Sequence, residues 1–364
     1  MHKNKIRVLF ICPYPIGESP SQRFRFEQYF GLLQASGFSI EARSFLSLST
    51  WHLIYQPGNV IPKVIGVLTG FIKRVLTLFT IPGFDFVFIH REATPLGPPW
   101  FEWITSKILR KKVIYDFDDA IWLAPTSKEN TFATKLRWPS KIESICRWSF
   151  SISCGNNYLA SFAKQFNQRV IVNPTTIDVR KVHNPNLFPP KLKSDRFVIG
   201  WTGSHSTLTY LDMIIPVIQS LERKLHDQFE FHVIADKNPN FGLSSFRFIK
   251  WSKETEIQDL LKFDIGLMPL TDDLWAKGKC GFKALQYMAI GIPVIASPVG
   301  VNKNIIDEGV NGFLCQSLSQ WEEKILQLIK DHELRKKIGD AGRLKITNNY
   351  SLDSNSDNFL SLFE

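Results

Sequence analysis

The chain of 364 residues has only five cysteines, an odd number, at positions 12, 146, 154, 280 and 315. None of them forms a C-x-x-C pair, which argues against a disulfide framework and a zinc site. The dinucleotide fingerprint G-x-G-x-x-G and the Walker phosphate loop are also absent, which disfavours a nicotinamide-dependent oxidoreductase and a P-loop enzyme. We therefore interpret the cysteines as reduced thiols of a cytoplasmic protein.

Acidic residues are scarce relative to basic ones. The chain has 44 Lys and Arg against 34 Asp and Glu, a net charge of +10 and a pI near 9.3. This excess indicates an anionic partner, which is a nucleoside diphosphate, an anionic membrane surface or nucleic acid. Because no groove-reading motif accompanies the charge, we predict no nucleic-acid partner. The length fits two domains of about 150–200 residues each.

An uninterrupted membrane-spanning run is missing as well. Residues 64–81 are almost wholly apolar, but Lys73 and Arg74 lie at their middle. A charge at the bilayer centre costs at least about 2.5–3.5 kcal/mol per residue, which argues against spanning. Two alternatives stay open: a helix lying in the membrane interface, or an ordinary helix packed across the first sheet. The interfacial alternative points Lys63, Lys73 and Arg74 at the headgroups and inserts three apolar residues: Val67, Phe71 and Leu78.

Short apolar runs alternate with helical patterns along the rest of the chain, which is typical of a doubly wound α/β protein. The strands predicted in the first half are 7–12, 39–44, 86–90, 113–115, 151–154 and 170–172. Those predicted in the second half are 197–201, 231–234, 246–249, 265–268 and 294–296. We predict a first domain over 1–182, a proline-rich linker over 183–196, a second domain over 197–345, and a tail over 346–364 that returns to the first domain.

Residues 277–300, KGKCGFKALQYMAIGIPVIASPVG, carry the strongest functional pattern. A glycine-bracketed turn leads into an apolar helix that ends at Gly291, and a buried strand follows. At about 100° per residue, Lys279, Lys283 and Gln286 share one helical face, away from the packing face. Two cations and an amide near a helix N-terminus suit an anion that carries a sugar. The alternative is a packed helix with solvated lysines.

This segment resembles the donor-binding signature of retaining, two-domain (GT-B) glycosyltransferases of the family 4, group 1 type. Many members carry two glutamates eight positions apart, where this chain has Gly278 and Gln286. The wording Lys-Cys-x-Phe-Lys-x-x-Gln-Tyr-Met-Ala from residue 279 instead resembles a bacterial surface-polysaccharide branch. The resemblance implies a GT-B architecture, with two Rossmann-like doubly wound parallel-sheet domains facing each other across a cleft.

A second motif opens the predicted second domain. Residues 197–204, FVIGWTGS, form an apolar strand that ends in Gly203 and Ser204, with a helix predicted from about Thr207. Glycines at such a turn let backbone N–H groups approach a phosphate. The resemblance implies that this loop and the later helix both bind the donor. The implied donor-binding residues are Gly203, Ser204, Lys279, Phe282, Lys283 and Gln286.

Three carboxylates, Asp116, Asp118 and Asp119, follow the predicted strand 113–115 in the first domain. Strand carboxyl ends are where open α/β sheets bind ligands. Three roles stay open for them: binding the sugar or stabilising positive charge at its anomeric carbon, ligating a metal, or forming a structural cluster with cations such as Arg91.

Three further residues complete the candidate site. His90 ends the predicted strand 86–90 and is a catalytic candidate, although a structural histidine is the usual alternative at a strand end. Arg23 or Arg25 is a candidate for an anionic donor or a lipid phosphate, the alternative being an exposed helix start with a solvated arginine.

The resemblance implies transfer of a sugar from a nucleotide-sugar to a glycan or polyprenyl-linked acceptor, with retention and by front-face displacement. It implies no metal and no cofactor, because helix dipole and basic side chains hold the diphosphate. The expected location is the cytoplasm, peripheral on the inner face of the plasma membrane. The missing glutamates leave a second hypothesis, a catalytically degenerate homologue that binds a sugar or nucleotide without transferring it.

Overall fold

The computed structural model describes residues 5–54, 56, 58–123, 138–190 and 196–364. Within these ranges the chain forms two compact units. The first comprises residues up to Thr175 together with Gly278–Cys280 and Asn355–Glu364, and the second comprises Thr176–Lys277 and Gly281–Ser354. Of the predicted linker, residues 191–195 lie outside the described residues, and the described remainder belongs to the second unit.

The first unit contains a six-stranded, all-parallel sheet. Its strands are β1 (Ile6–Cys12), β2 (Phe38–Ser44), β3 (Phe86–His90), β4 (Lys112–Phe117), β5 (Ser151–Cys154) and β6 (Val170–Val172). Their order is β2-β1-β3-β4-β5-β6. All five residues from Val8 to Cys12 are fully buried, as expected for a central strand that is covered on both faces.

The second unit contains a second six-stranded parallel sheet. Its strands are β7 (Phe197–Thr202), β8 (Phe229–Ala235), β9 (Phe246–Lys250), β10 (Ile265–Met268), β11 (Val294–Ala296) and β12 (Phe313–Leu314). Their order is β12-β11-β10-β7-β8-β9. The core around β7 and β8 includes the buried side chains Trp201, Phe231 and Trp321.

Helices connect the strands in both units. In the first unit they are α1 (Pro20–Arg23), α2 (Phe30–Ala35), α3 (Leu48–Ile54), α4 (Val60–Leu78), α5 (Trp100–Trp103), α6 (Lys141–Trp148), α7 (Asn157–Ala163) and, near the carboxyl end of the chain, α15 (Ser356–Leu360). In the second unit they are α8 (Ile215–Leu225), α9 (Glu256–Leu260), α10 (Leu274–Lys277), α11 (Phe282–Ala289), α12 (Asn302–Ile305), α13 (Leu318–Lys330) and α14 (His332–Lys345).

Shorter turns of other helical types fill several connections. The 3₁₀ turns are Glu27–Tyr29, Ile81–Gly83, Pro185–Leu187, His205–Met213, His226–Gln228, Asp353–Asn355 and Ser361–Phe363. Two turns, Ile104–Ile108 and Ile346–Tyr350, are π-helical.

The predicted α/β class is confirmed, and every predicted strand exists in the structure within one or two residues of its predicted ends. Two details differ from the prediction. The short edge strand β12 was not among the predicted strands, because two paired residues leave no periodicity to detect. The helix expected from about Thr207 begins instead at Ile215, after the 3₁₀ turn His205–Met213.

Helix α4 packs on the first unit with Arg74 facing inward. This orientation is opposite to the one expected for a helix in the membrane interface, where Arg74 would face the headgroups. Arg74 is buried, and its guanidinium donates to the carbonyl oxygens of Cys12 and Ala93 at 2.8 and 2.7 Å. Val67, Phe71 and Leu78 lie on the half-buried side of the helix. In the described part of the chain, no helix is both long enough and apolar enough to cross a membrane.

The strand orders determine where ligands are expected. The order reverses between β1 and β3 in the first sheet and between β7 and β10 in the second. In open parallel sheets, ligands bind outside the carboxyl ends of strands at such a reversal. The predicted loops after β3, β4 and β7 all lie at carboxyl ends.

Candidate functional site

In the first unit, Asp116 lies at the carboxyl end of β4 and is fully buried. Its Oδ1 accepts hydrogen bonds from Arg25 Nη2 and, at 2.6 Å, from Ser153 Oγ. Arg25 Nε lies 3.4 Å from the other carboxylate oxygen, and Arg25 also donates to the carbonyl oxygen of Asn173. The buried carboxylate therefore has a buried counter-ion and a hydroxyl donor.

His90, at the end of β3, adds a third partner to Asp116. Its Nδ1 lies 2.7 Å from Asp116 Oδ2, and its Nε2 lies 3.3 Å from the Oγ of Ser21. Burial raises the pKa of Asp116, but the Arg25 charge and the hydrogen bond from His90 outweigh it and hold the pKa well below its usual range. Asp116 is therefore an anion at neutral pH.

Asp118 and Asp119 follow in the loop after β4 and share one arginine. Arg91 Nε donates to Asp118 Oδ1 at 2.8 Å, and Arg91 Nη2 donates to Asp119 Oδ2 at 2.6 Å. Asp119 also pairs with Lys279, whose Nζ lies 3.0 Å from Oδ1. Burial raises the pKa of Asp119, while Lys279 and Arg91 lower it by more, so that the net shift is downward.

The segment Gly278–Cys280 is held within the first unit by three contacts. Asn156 Nδ2 donates to the carbonyl oxygens of Gly278 and Lys279 at 3.0 and 3.1 Å. The Sγ of Cys280 lies 3.0 Å from the carbonyl oxygen of Asp118. A Cβ on Gly155 would lie only 2.2 Å from Cys280 Sγ, which explains the glycine at that position.

Every carboxylate of this cluster thus has a cation within hydrogen-bond distance. That geometry favours the structural alternative, in which Asp116, Asp118 and Asp119 are paired with basic residues. Their direct contact with sugar or acceptor, and that of His90, stays a prediction. Among the described residues, no group of three or more His, Cys, Asp and Glu side chains could hold a metal ion.

The two candidate arginines, Arg23 and Arg25, lie in different environments. Arg25 is buried against Asp116, so it is not the solvated arginine at a helix start that was the alternative for this position. Arg23 is half-buried, and its guanidinium lies 5.0 Å from the ring centroid of Phe24. A role for either arginine in binding an anionic ligand stays a prediction.

In the second unit, helix α11 begins at Phe282, after Gly281 in a left-handed conformation with φ 72°. Lys279 therefore precedes the helix. The prediction that it shares a helical face with Lys283 and Gln286 is wrong. Almost every side chain from Ala284 onward is buried, including Gln286 at 1% exposure. Gln286 was expected on an exposed polar face opposite the packing face. It is instead buried together with the apolar side chains of the helix.

The carboxyl end of β7 and helix α11 are in direct contact. The backbone N–H of Thr202 donates to the hydroxyl of Tyr287 at 2.9 Å, and Lys283 Nζ lies 5.3 Å from the centroid of the Trp201 ring. Gly266 on β10 provides room for Tyr287, because a Cβ there would lie 2.4 Å from its ring. Burial raises the pKa of Tyr287, which keeps its hydroxyl protonated.

The loop itself is exposed and anchored at both ends. The N–H of Gly203 donates to the carbonyl oxygen of Ile234, and a Cβ on Gly203 would lie 2.4 Å from the Trp201 ring. Ser204 is exposed, with its Oγ 2.9 Å from that of Ser206. The next residue, His205, donates its backbone N–H to Asp236 at 2.6 Å. Phe282 is half-buried at the start of α11.

Gln286 has two buried polar neighbours in the second unit. Its Nε2 lies 3.2 Å from Glu256 Oε1 on α9 and 3.4 Å from His183 Nε2. A carboxylate thus stands beside the position where a glutamate was expected, but it comes from a distant part of the chain. Binding of the donor by Gln286 stays a prediction.

Sequence reasoning missed several residues that hold these clusters together. Three of them are polar residues in or just after strands: Ser153 in β5, Asn156 after β5 and Asn173 after β6. A polar residue at such a position was the sequence feature that could have indicated them. Glu256 and His183 carried no local signal, because only the fold brings them to Gln286. Tyr287 was part of the recognised motif, but its hydrogen bond to Thr202 was not foreseeable.

Residues 196–331 match the model of the family described as Glycosyl transferases group 1. Over 82 residues, the chain is 32% identical to Spore coat protein SA of Bacillus subtilis, a match that spans 22% of each chain. Over 316 residues it is 23% identical to the capsular polysaccharide biosynthesis glycosyltransferase CapM of Staphylococcus aureus, covering 82% of this chain and 73% of CapM.

Solved structures resemble the chain over nearly its whole length. A glycosyltransferase from Rickettsia africae matches with a TM-score of 0.71 and 16% identity, covering 99% of this chain and 98% of that one. Anabaena Alr3699/HepE, in complex with UDP and glucose, matches with a TM-score of 0.65 and 13% identity over 98% of both chains. Residues 196–331 therefore resemble a glycosyl transferases group 1 domain, within a chain that has the two-sheet α/β fold of GT-B glycosyltransferase structures.

Proposed function

We propose that this protein is a glycosyltransferase that moves a sugar from a nucleotide-sugar to a glycan or polyprenyl-linked acceptor. The observation that carries the proposal is the contact between the carboxyl end of β7 and helix α11, inside the region that matches the family model. In this arrangement the exposed loop Gly203–Ser204 and the cation of Lys283 lie on neighbouring elements of the second unit.

The second unit supplies three kinds of group for a donor diphosphate. The first N–H groups of an α-helix lack intrahelical acceptors, so those at the start of α11 can donate to phosphate oxygens. The helix dipole places partial positive charge at the same end. Lys283 adds a full charge, and Ser204 adds an exposed hydroxyl. These groups suit the pyrophosphate of a nucleotide-sugar.

The same groups favour the chemical step. During transfer the bond between the anomeric carbon and the diphosphate oxygen breaks, and negative charge grows on the departing phosphate. A preorganised cation and backbone N–H groups stabilise that charge more in the transition state than in the ground state. In the proposed front-face displacement, the acceptor oxygen bonds to the same face of the sugar. Its proton passes to the leaving phosphate. Because the new bond forms on the face from which the phosphate leaves, the configuration is retained.

The sugar donor is proposed to be a UDP-sugar, and the setting bacterial surface-polysaccharide synthesis. The complex of HepE with UDP and glucose supports the first point, and the name of CapM supports the second. The five cysteines are free and buried, which supports a cytoplasmic location. The first-unit residues Asp116, Asp118, Asp119 and His90 are proposed to serve the sugar or the acceptor, directly or by holding neighbours in place.

The decisive experiment combines calorimetry with a transfer assay on one variant. Lys283→Ala is expected to weaken binding of UDP by about tenfold or more and to abolish transfer, while the melting temperature stays near that of the wild type. Lys330→Ala, which removes an exposed cation at the end of α13, is the matched control and should change neither quantity. Unchanged UDP affinity and turnover in Lys283→Ala would overturn the assignment.

A further measurement separates the proposal from its alternative, a degenerate homologue. Wild-type protein that binds UDP-sugars but transfers nothing to any polyprenyl-linked or free glycan acceptor would establish the alternative. A second arm tests the proposed absence of a metal cofactor, since transfer should persist after treatment with EDTA.

A further inference from the structure

Helix α4 exposes an unusually apolar face. Large apolar side chains recur along it at spacings of three and four residues, which places them on one side of the helix. Ile61 is 73% exposed, and Leu76 is 60% exposed. The members of this outer face are Val60, Ile61, Val64, Ile65, Leu68, Ile72, Val75, Leu76 and, just after the helix, Phe79.

The opposite side of α4 fixes the helix firmly to the first unit. A Cβ on Gly70 would lie 2.6 Å from the ring of Phe45, so helix and ring are in close contact. Arg74 donates to three backbone carbonyls, those of Cys12, Arg43 and Ala93. Because this side is already packed, the outer face cannot turn inward without breaking these contacts.

Cations border the outer face. A groove of about 450 Å³ runs beside the carboxyl half of α4 and is lined by Arg43, Lys73, Leu76 and Thr80, among others. Helix α4 contains no Asp or Glu, although it includes Lys63, Lys73 and the buried Arg74, whereas Arg43 in the groove is paired with Glu41 at 2.6 Å. The helix that bears the apolar face thus carries only positive formal charge.

We propose that the outer face of α4 and the bordering groove dock on an anionic lipid bilayer. A surface-lying helix places its apolar face at the boundary between headgroups and acyl chains, with cations beside it at the level of the phosphates. The apolar residues of α4 and its lysines, Lys63 and Lys73, supply these two components. At about 1.5 Å per residue, the helix offers an apolar strip roughly 28 Å long.

The charge of the region decides between a bilayer and a second copy of the chain. A second copy that docked face to face would bring Lys63 and Lys73 of both copies together, and α4 has no carboxylate to neutralise them. Anionic headgroups neutralise them directly. The inference goes beyond transferase activity, because it concerns where the protein is held and not what its second unit binds.

The test is co-sedimentation of the full-length protein with vesicles, in the absence of any donor. Binding is expected with phosphatidylcholine vesicles that contain phosphatidylglycerol and should weaken at high salt. The variant Ile61→Ser/Ile65→Ser/Leu68→Ser should lower the partition coefficient by about tenfold or more, since it removes three large apolar side chains. Its melting temperature should be unchanged, because all three side chains are exposed.

Two controls sharpen the result. The variant Leu187→Ser/Leu344→Ser removes exposed leucines of the second unit and should bind vesicles like the wild type. Lys73→Gln should weaken binding to the anionic vesicles by roughly fivefold, the share expected of one cation near the surface. The effect should be smaller on neutral vesicles.

Two outcomes would overturn the proposal. One is wild-type protein that stays in the supernatant with anionic vesicles at low salt. The other is a wild-type dimer in sedimentation equilibrium that the triple serine variant converts to a monomer, since the face would then be covered by a second copy. Neither outcome bears on the UDP affinity of Lys283→Ala, so the failure of this inference is distinguishable from failure of the proposed function.

Discussion

In the first unit, the polar groups at the carboxyl end of the sheet are carboxylates, and cations of the same unit hold them: Arg25 with Asp116, and Arg91 with Asp118 and Asp119. In the second unit the corresponding groups are the backbone of an exposed loop, a lysine over a tryptophan ring, and a tyrosine hydroxyl. Both sheets are six-stranded and parallel, and both place these groups where ligands bind in such folds.

The difference concerns how each cluster balances its charge. In the first cluster, each carboxylate is neutralised by a cation of the protein itself. The second offers positive charge and N–H donors on one side, which suits a ligand that brings the negative charge. We infer that the first cluster chiefly holds its loops in shape, while the second is built to receive an anion.

The largest effect that would test this contrast is expected at Asp116. Asp116→Ala leaves the fully buried Arg25 without its carboxylate, so the free energy of unfolding should fall by about 3–5 kcal/mol in urea titration. The double variant Arg25→Met/Asp116→Leu should recover most of that loss, because it replaces the pair by apolar groups. A single variant within about 1 kcal/mol of wild type would show that the pair does not stabilise the first unit.

The second effect in size is expected at Gly203. Gly203→Ala pushes a methyl group against the buried Trp201 ring and against Thr207 Oγ1, which lies 2.7 Å from the added Cβ. Such overpacking should cost about 1–3 kcal/mol of stability and reshape the loop, so UDP affinity should fall as well. Calorimetry and thermal unfolding measure the two losses.

Gly31→Ala is the matched control for Gly203→Ala. The added Cβ at position 31 meets nothing within 4 Å, and the residue lies in helix α2. Because alanine favours helix more than glycine does, this variant should be neutral or slightly stabilising. Equal UDP affinity in both variants and the wild type would remove the loop from the proposed donor site.

The sequence predicted the strands of both sheets better than the side-chain contacts of the candidate sites. The strands were predictable because each is a short apolar run between turn signals, and both loops that follow β4 and β7 were placed at strand ends. Pairing was not predictable to the same extent. Asp116 and Arg25 are separated by 91 positions, and nothing in either local pattern indicates the other.

Two interpretations failed for a physical reason. Lys279 was placed on a helical face, but the left-handed Gly281 starts the helix at Phe282 and leaves Lys279 to pair with Asp119. On helix α4, the sequence analysis placed Val67, Phe71 and Leu78 on the outward face, but they lie on the inward one. Sequence does not distinguish the two faces, because both are largely apolar. The buried Arg74, satisfied by three carbonyls, decides its orientation, and sequence does not show those carbonyls.

A smaller effect is expected at Tyr287, which links helix α11 to the carboxyl end of β7. Tyr287→Phe removes the acceptor of the Thr202 N–H, a buried donor, and should lower the free energy of unfolding by about 1–2 kcal/mol. UDP affinity should fall only severalfold, because the lysine and the helix start remain. A change in stability without any change in affinity would indicate that the contact is structural alone.

The smallest effect is expected in the acid dependence of stability. In the folded state the pKa values of Asp116 and Asp119 lie below the ordinary value of 3.8, so the unfolded chain takes up protons first as the pH falls. The free energy of unfolding should therefore decline as the pH drops through that range. Asp119→Asn removes one of the two groups, so its stability should decline less steeply, with a difference of at most about 1.4 kcal/mol per pH unit. Lys279→Met should also make the stability decline less steeply as the pH falls, since Lys279 is the charge that lowers the pKa of Asp119 most. Parallel acid profiles for Asp119→Asn and the wild type, measured by chemical unfolding, would mean that the Asp119 pair is too open to solvent to stabilise the fold.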